Sequence, residues 1–122
     1  GIYMLPFLTV DTRQPMLEDY MRHMLHALKV CGEDHVGIGT DSMFFTVSDS
    51  DLKAIAADEE ARRKAGVGAP GENRPPYIPD INTPRKLERV ADALLKHGYG
   101  SRVTEKVLGL NFSRVFKEIW AV

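Results

Sequence analysis

The run Gly37-Ile38-Gly39-Thr40-Asp41 carries two glycines and ends abruptly in a carboxylate. Residues 35–40 read as a buried parallel strand, which delivers Asp41 to its own carboxyl end. In α/β folds that end is where ligands and chemistry collect. The glycines allow a packed helix or a ligand to approach the backbone closely. The same carboxylate could simply cap the turn that leaves the strand, a frequent role of aspartate. The local pattern leaves both roles open.

Other residue sets carry less chemistry. His23 and His26 stand three apart on a helix, close enough for two imidazoles to share a metal, but no third ligand lies nearby. A solvated face fits them better. Met4, Met16, Met21 and Met24 could form a soft binding surface, yet their continuity with Leu17, Tyr20, Leu25 and Leu28 reads as core. Gly66-Val67-Gly68-Ala69-Pro70-Gly71 resembles a phosphate-cradling loop without the Lys-Ser/Thr or the strand-then-helix setting that such a cradle needs. Residues 101–120, a helix, a glycine turn and a helix, could instead be a helix-turn-helix DNA reader. Asn111, Ser113, Arg114 and Lys117 would then face the major groove. Few basic residues in this tail and a chain net charge of −1 argue against it, because phosphate neutralisation wants a basic face.

The elements that must position these residues follow from periodicity. Residues 2–8 are β-branched, aromatic and apolar with little alternation, as in a strand buried on both faces, although Pro6 cannot donate to a central ladder. A helix starts near Pro15, with Glu18 and Asp19 at the positive end of its dipole and Gly32 as its C-terminal stop. After the strand at 35–40, residues 42–82 form an excursion too long for an ordinary connection, the kind that usually serves as a lid, rim or partner contact. Within it, Ser48 and Asp51 fit a capping box for an Ala-rich, charged helix over 52–65, and 74–79 is polyproline-like. Thr83 and Pro84 open a further helix whose stripe is Leu87, Val90, Ala91, Leu94 and Leu95, ended by Gly98. Ser101 caps a short helix with Val103, Val107 and Leu108. Asn111 caps a last helix whose Phe112, Val115, Phe116, Ile119 and Trp120 should close the core.

The composition is that of one soluble globular domain: 122 residues, 43% hydrophobic and 27% charged. A single cysteine, Cys31, excludes an intrachain disulfide and any multi-cysteine zinc site. No apolar run reaches the roughly 18 residues of a membrane span, and no signal is visible that would assign a compartment. The chain opens without Met and inside a strand-like run, which suggests a fragment or a processed piece. Two parallel strands cannot complete a sheet, so exposed edges imply a homo-oligomer. A non-catalytic oligomerising domain, using Met43-Phe44-Phe45 and the Pro-rich arm, is a third possibility beside enzyme and DNA reader.

Three stretches together resemble the carboxyl-terminal part of the membrane (renal) dipeptidase family of zinc metallopeptidases. They are Gly37-Ile38-Gly39-Thr40-Asp41, Tyr77-Ile78-Pro79, and Val107-Leu108-Gly109-Leu110-Asn111-Phe112-Ser113-Arg114-Val115-Phe116. The resemblance covers most of the chain. It implies an α/β fold, namely the last two βα units and helical tail of a (β/α)8 TIM-like barrel of the amidohydrolase type. Residues 1–122 would then be the C-terminal fragment of one hydrolase domain, incomplete as an isolated chain, with 42–82 at the barrel rim. The implied activity is metal-dependent hydrolysis of dipeptides, with two zinc ions activating a water. Asp41 would match the family's aspartate that handles the proton of the attacking water and of the departing amine. Phe7 and Asp11 would lie on the substrate-binding rim. The family's Asp-Phe-Asp-Gly is here Asp41-Ser42-Met43-Phe44, so the rim beside the aspartate is altered. The family's metal ligands come from earlier strands and have no match here. The chain alone should therefore bind no catalytic zinc and be inactive by itself.

Overall fold

The computed structural model describes residues 1–10 and 13–120. Its elements are α1 (Leu17–Cys31), α2 (Asp49–Lys64), α3 (Lys86–Lys96), α4 (Ser101–Glu105) and α5 (Asn111–Ile119), with 3-10 turns at Pro6–Leu8 and Pro79–Ile81. A π-type turn at Lys106–Leu110 joins α4 to α5.

The α/β expectation, and with it the barrel fragment, is wrong: the described residues are helical and hold no sheet. The two expected strands meet at a single parallel bridge, Ile2 opposite Ile38. Ile2 N–H donates to Gly37 O (3.0 Å), Gly39 N–H to Ile2 O (3.2 Å) and Met4 N–H to Thr40 O (2.9 Å). There the ladder stops. Pro6 has no N–H to continue it and instead opens the 3-10 turn. No third segment among the described residues extends the pair, and two paired segments are marginal without further strands or a helix to cover them.

Helix-on-helix packing supplies the core instead. α1 buries Tyr20, Met21, Met24 and Leu28 against Val90 and Leu94 of α3, with Met4, Leu8, Val36, Ile78, Ile81 and Val107 filling between. Each such side chain stabilises the fold by roughly 1.5–3 kcal/mol on burial. The methionines at 4, 21 and 24 are thus core, as their stripe predicts, while Met16 is exposed. Asp19 opens α1 by accepting the Met16 N–H (2.9 Å), and Asp80 accepts the Leu17 N–H (2.9 Å) from across the chain. Two of the amides left over at the helix start are therefore satisfied.

The 42–82 excursion is tied down at its base. Asn82 exchanges two hydrogen bonds with the backbone of Val47. Buried Arg74 donates to Thr9 Oγ1 (2.7 Å) and Arg13 O (2.8 Å), and Gln14 Nε2 donates to Pro75 O (2.8 Å). Between these ties, α2 has no buried residue. Its start is the reciprocal box expected for Ser48 and Asp51, with Ser48 N–H donating to Asp51 Oδ2 (2.8 Å).

The tail departs from expectation. Phe112 packs on Gly37, but Phe116, Ile119 and Trp120 are exposed rather than core. Phe112, Phe116 and Trp120 stack as a ladder along α5, with ring centroids 5.9 and 4.6 Å apart. Asn111 does not cap α5. Its Nδ2 donates to Glu33 O and Val36 O, both at 2.8 Å, and pins the tail to the 33–36 loop.

Candidate functional site: the Asp41 turn

Asp41 follows directly on the last bond of the short ladder, Met4 N–H to Thr40 O. It is exposed and stands at φ 46°, the one non-glycine residue at positive φ among the described residues. Aspartate tolerates this region better than most side chains, but any such outlier must be held by its surroundings. Among the described residues nothing bonds to its carboxylate, so it does not cap its own turn.

The residues after it are held. Lys86, the first residue of α3, lies 4% exposed, and its Nζ donates to Ser42 Oγ (3.1 Å) and to Met43 O. Burial lowers the Lys86 pKa. No carboxylate lies within ion-pair distance of it among the described residues. Lys86 does not stand out in the sequence as a functional residue, although its helical face carries a signal: positions 86, 90 and 94 share that face, and Val90 and Leu94 are core.

Phe7 sits in the 3-10 turn, 38% exposed. The Met4–Thr40 bond sets its segment beside the one that ends in Asp41. Asp11, the other candidate substrate contact, lies outside the described residues.

The zinc expected of the resemblance does not fit the described residues, which contain no group of three or more His, Cys, Asp or Glu able to hold a metal ion. His23 points elsewhere, with its Nε2 bonded to Leu8 O at 2.8 Å. Of the groove-facing set of the DNA-reader alternative, Asn111 and Arg114 are engaged within the chain. Asn111 is buried, and Arg114 donates to Asp34 O (2.8 Å). Arg102 and Lys106, the other tail cations, pair with Glu33. No described helix is long and apolar enough to cross a membrane.

A cleft of about 640 Å³ opens between α2 and the glycine-rich loop, lined by Ala56, Glu59, Arg63, Gly68, Glu72 and Asn73 among others. Burial, then the nearby Glu72 and Asp58, raises the Glu59 pKa. Asp41 is not part of this cleft.

The chain is similar to a dipeptidase. It is 24% identical to the dipeptidase tcpJ of Claviceps purpurea (strain 20.1) over 119 residues, covering 97% of this chain and 21% of that protein. The chain thus spans about a fifth of the length of the curated relative it matches. No family model matches it, and no solved structure does.

Proposed function

We propose that this chain is a dipeptidase-related unit in which Asp41 serves as the acid–base carboxylate of peptide hydrolysis. The observation that carries this is the likeness to tcpJ along nearly the whole chain. The exposed carboxylate of Asp41, bonded by none of the described residues and held in a turn fixed on both sides, supports it. As water attacks the peptide carbonyl, the carboxylate accepts its proton. As the C–N bond breaks, it returns that proton to the departing amine. Phe7, beside the same ladder, offers an apolar surface to a substrate side chain. The resemblance implies two zinc ions as activators of the water, with ligands supplied from outside this chain; among the described residues no group of three or more His, Cys, Asp or Glu could hold them.

The test is an exchange. The aligned fifth of the Claviceps purpurea dipeptidase is replaced by this chain, and dipeptide hydrolysis is measured with zinc supplied. An active chimera that loses at least about a hundredfold on Asp41→Asn is the expected result. Full activity in the Asp41→Asn chimera would remove Asp41 from the chemistry. A chimera that folds with zinc bound and shows no activity would count against the dipeptidase relationship itself.

A further inference from the structure

Lys86 is placed where a lysine is poorly suited by local physics. It occupies the first residue of α3, where the helix dipole disfavours a cation, and it is buried with no carboxylate partner among the described residues. The acceptors it does find are specific: the hydroxyl of Ser42 at 3.1 Å and the carbonyl of Met43. These are the two residues that follow Asp41. On the other side, the Thr40 carbonyl accepts the Met4 N–H at 2.9 Å. Asp41 is therefore clamped between a backbone bond before it and an ammonium after it, and it is this clamped residue that stands at φ 46°.

We infer that Lys86 is the positioning residue for Asp41: by gripping Ser42 and Met43 it holds the aspartate in the left-handed conformation that leaves its carboxylate free at the surface. The structural half of this stands alone, and the functional half rests on the role proposed for Asp41. Lys86 itself does no chemistry. It fills an apolar stripe position so that its ammonium reaches across 44 residues of sequence to Ser42.

The experiment compares Lys86→Met and Lys86→Arg with the native 122-residue chain by NMR. Methionine keeps the stem and removes the donors. The Asp41 carbon shifts and amide coupling should leave their left-handed values in Lys86→Met, and amide exchange at 42–44 should rise at least about tenfold. Lys86→Arg, which restores donors, should recover part of both. Unchanged Asp41 signals in Lys86→Met would overturn the inference. Should that variant not fold, Ser42→Ala removes one acceptor without burying anything new. A smaller displacement of the same signals is then expected, and none would overturn the inference. In the dipeptidase chimera, Lys86→Met should lower kcat about tenfold or more with KM nearly unchanged, since proton transfer and not binding is misplaced. An active chimera indifferent to Lys86→Met refutes the positioning role and leaves the dipeptidase proposal standing. A chimera that folds with zinc bound and is inactive refutes that proposal and leaves the NMR comparison to decide the positioning.

Discussion

Asn82 and Val47 pair as two residues of neighbouring strands would: Val47 N–H donates to Asn82 Oδ1 at 2.9 Å, and Asn82 Nδ2 donates back to Val47 O at 2.9 Å. One side-chain amide thus stands in for a strand and closes the base of the 42–82 excursion. Val47 is itself buried, so its N–H and C=O would be left without water if the amide were removed.

Asn82→Leu should therefore destabilise the chain by about 2–6 kcal/mol, at about 1–3 kcal/mol for each of the two buried backbone groups that loses its partner. Asn82→Asp keeps the acceptor, loses the donor and should cost less at neutral pH. Thermal denaturation of the two variants checks this ordering. A melting temperature unchanged in both would mean that water serves Val47 equally well.

Asp19 makes the fold acid-sensitive. The Arg13 side chain bonds it through both oxygens, and with the Met16 N–H and the nearby Arg22 it holds the carboxyl well below the usual aspartate range, against the opposing effect of burial. A carboxyl depressed in the folded state stabilises it above the unfolded pKa, about 3.9. That stability is lost as pH falls below this value toward the folded one. The melting temperature should drop steeply below about pH 4. Asp19→Asn should melt lower at pH 7 and fall less on acidification. Parallel curves for the two proteins would assign the acid limb to other carboxylates.

Gly37 is required by its neighbour rather than by its backbone angles. A Cβ there would lie 2.5 Å from Phe112 Cε2, well inside contact distance. Gly37→Ala should cost about 1–3 kcal/mol by overpacking. Phe112→Leu in the same chain should recover part of it, giving a non-additive cycle. Additive costs in chemical denaturation would show that the ring moves aside freely.

Helical spacing made α1 and α3 legible, because a stripe such as Tyr20, Met24 and Leu28 has one way to be buried. Gly32 and Gly98 end their helices at positive φ, as expected of C-terminal glycines. The segments at 2–8 and 35–40 misled for a physical reason. An apolar β-branched run says that a segment is buried, not that strands exist to flank it. With only each other to pair with, these two make one bridge. The tail misled in the opposite sense. Phe116, Ile119 and Trp120 have the spacing of a core face, but the kink at Gly109 (φ 173°, ψ −21°) and the Asn111 bonds to the 33–36 loop turn α5 so that this face stays open. Thr83 and Pro84 announced α3 slightly early, since its regular bonds begin at Lys86. At the candidate site, Asp41 was legible as a carboxylate ending an apolar run. Lys86 was not, because a lysine on a helical face is normally read as solvated, and its meaning came from Ser42 and Met43, far away in sequence.

The amide clasp between Asn82 and Val47 also divides the chain by what selection can change. Beyond the clasp, α2 contributes nothing buried, so residues there can be substituted, shortened or lengthened at little cost, loop closure growing only slowly with length. At its base, the Asn82 amide, together with the Arg74 and Gln14 bonds, sets where the excursion leaves and returns. Novelty in this protein therefore has a natural address: between residues 48 and 73, a foreign helix, tag or recognition sequence could be installed while the body that presents Asp41 keeps its shape.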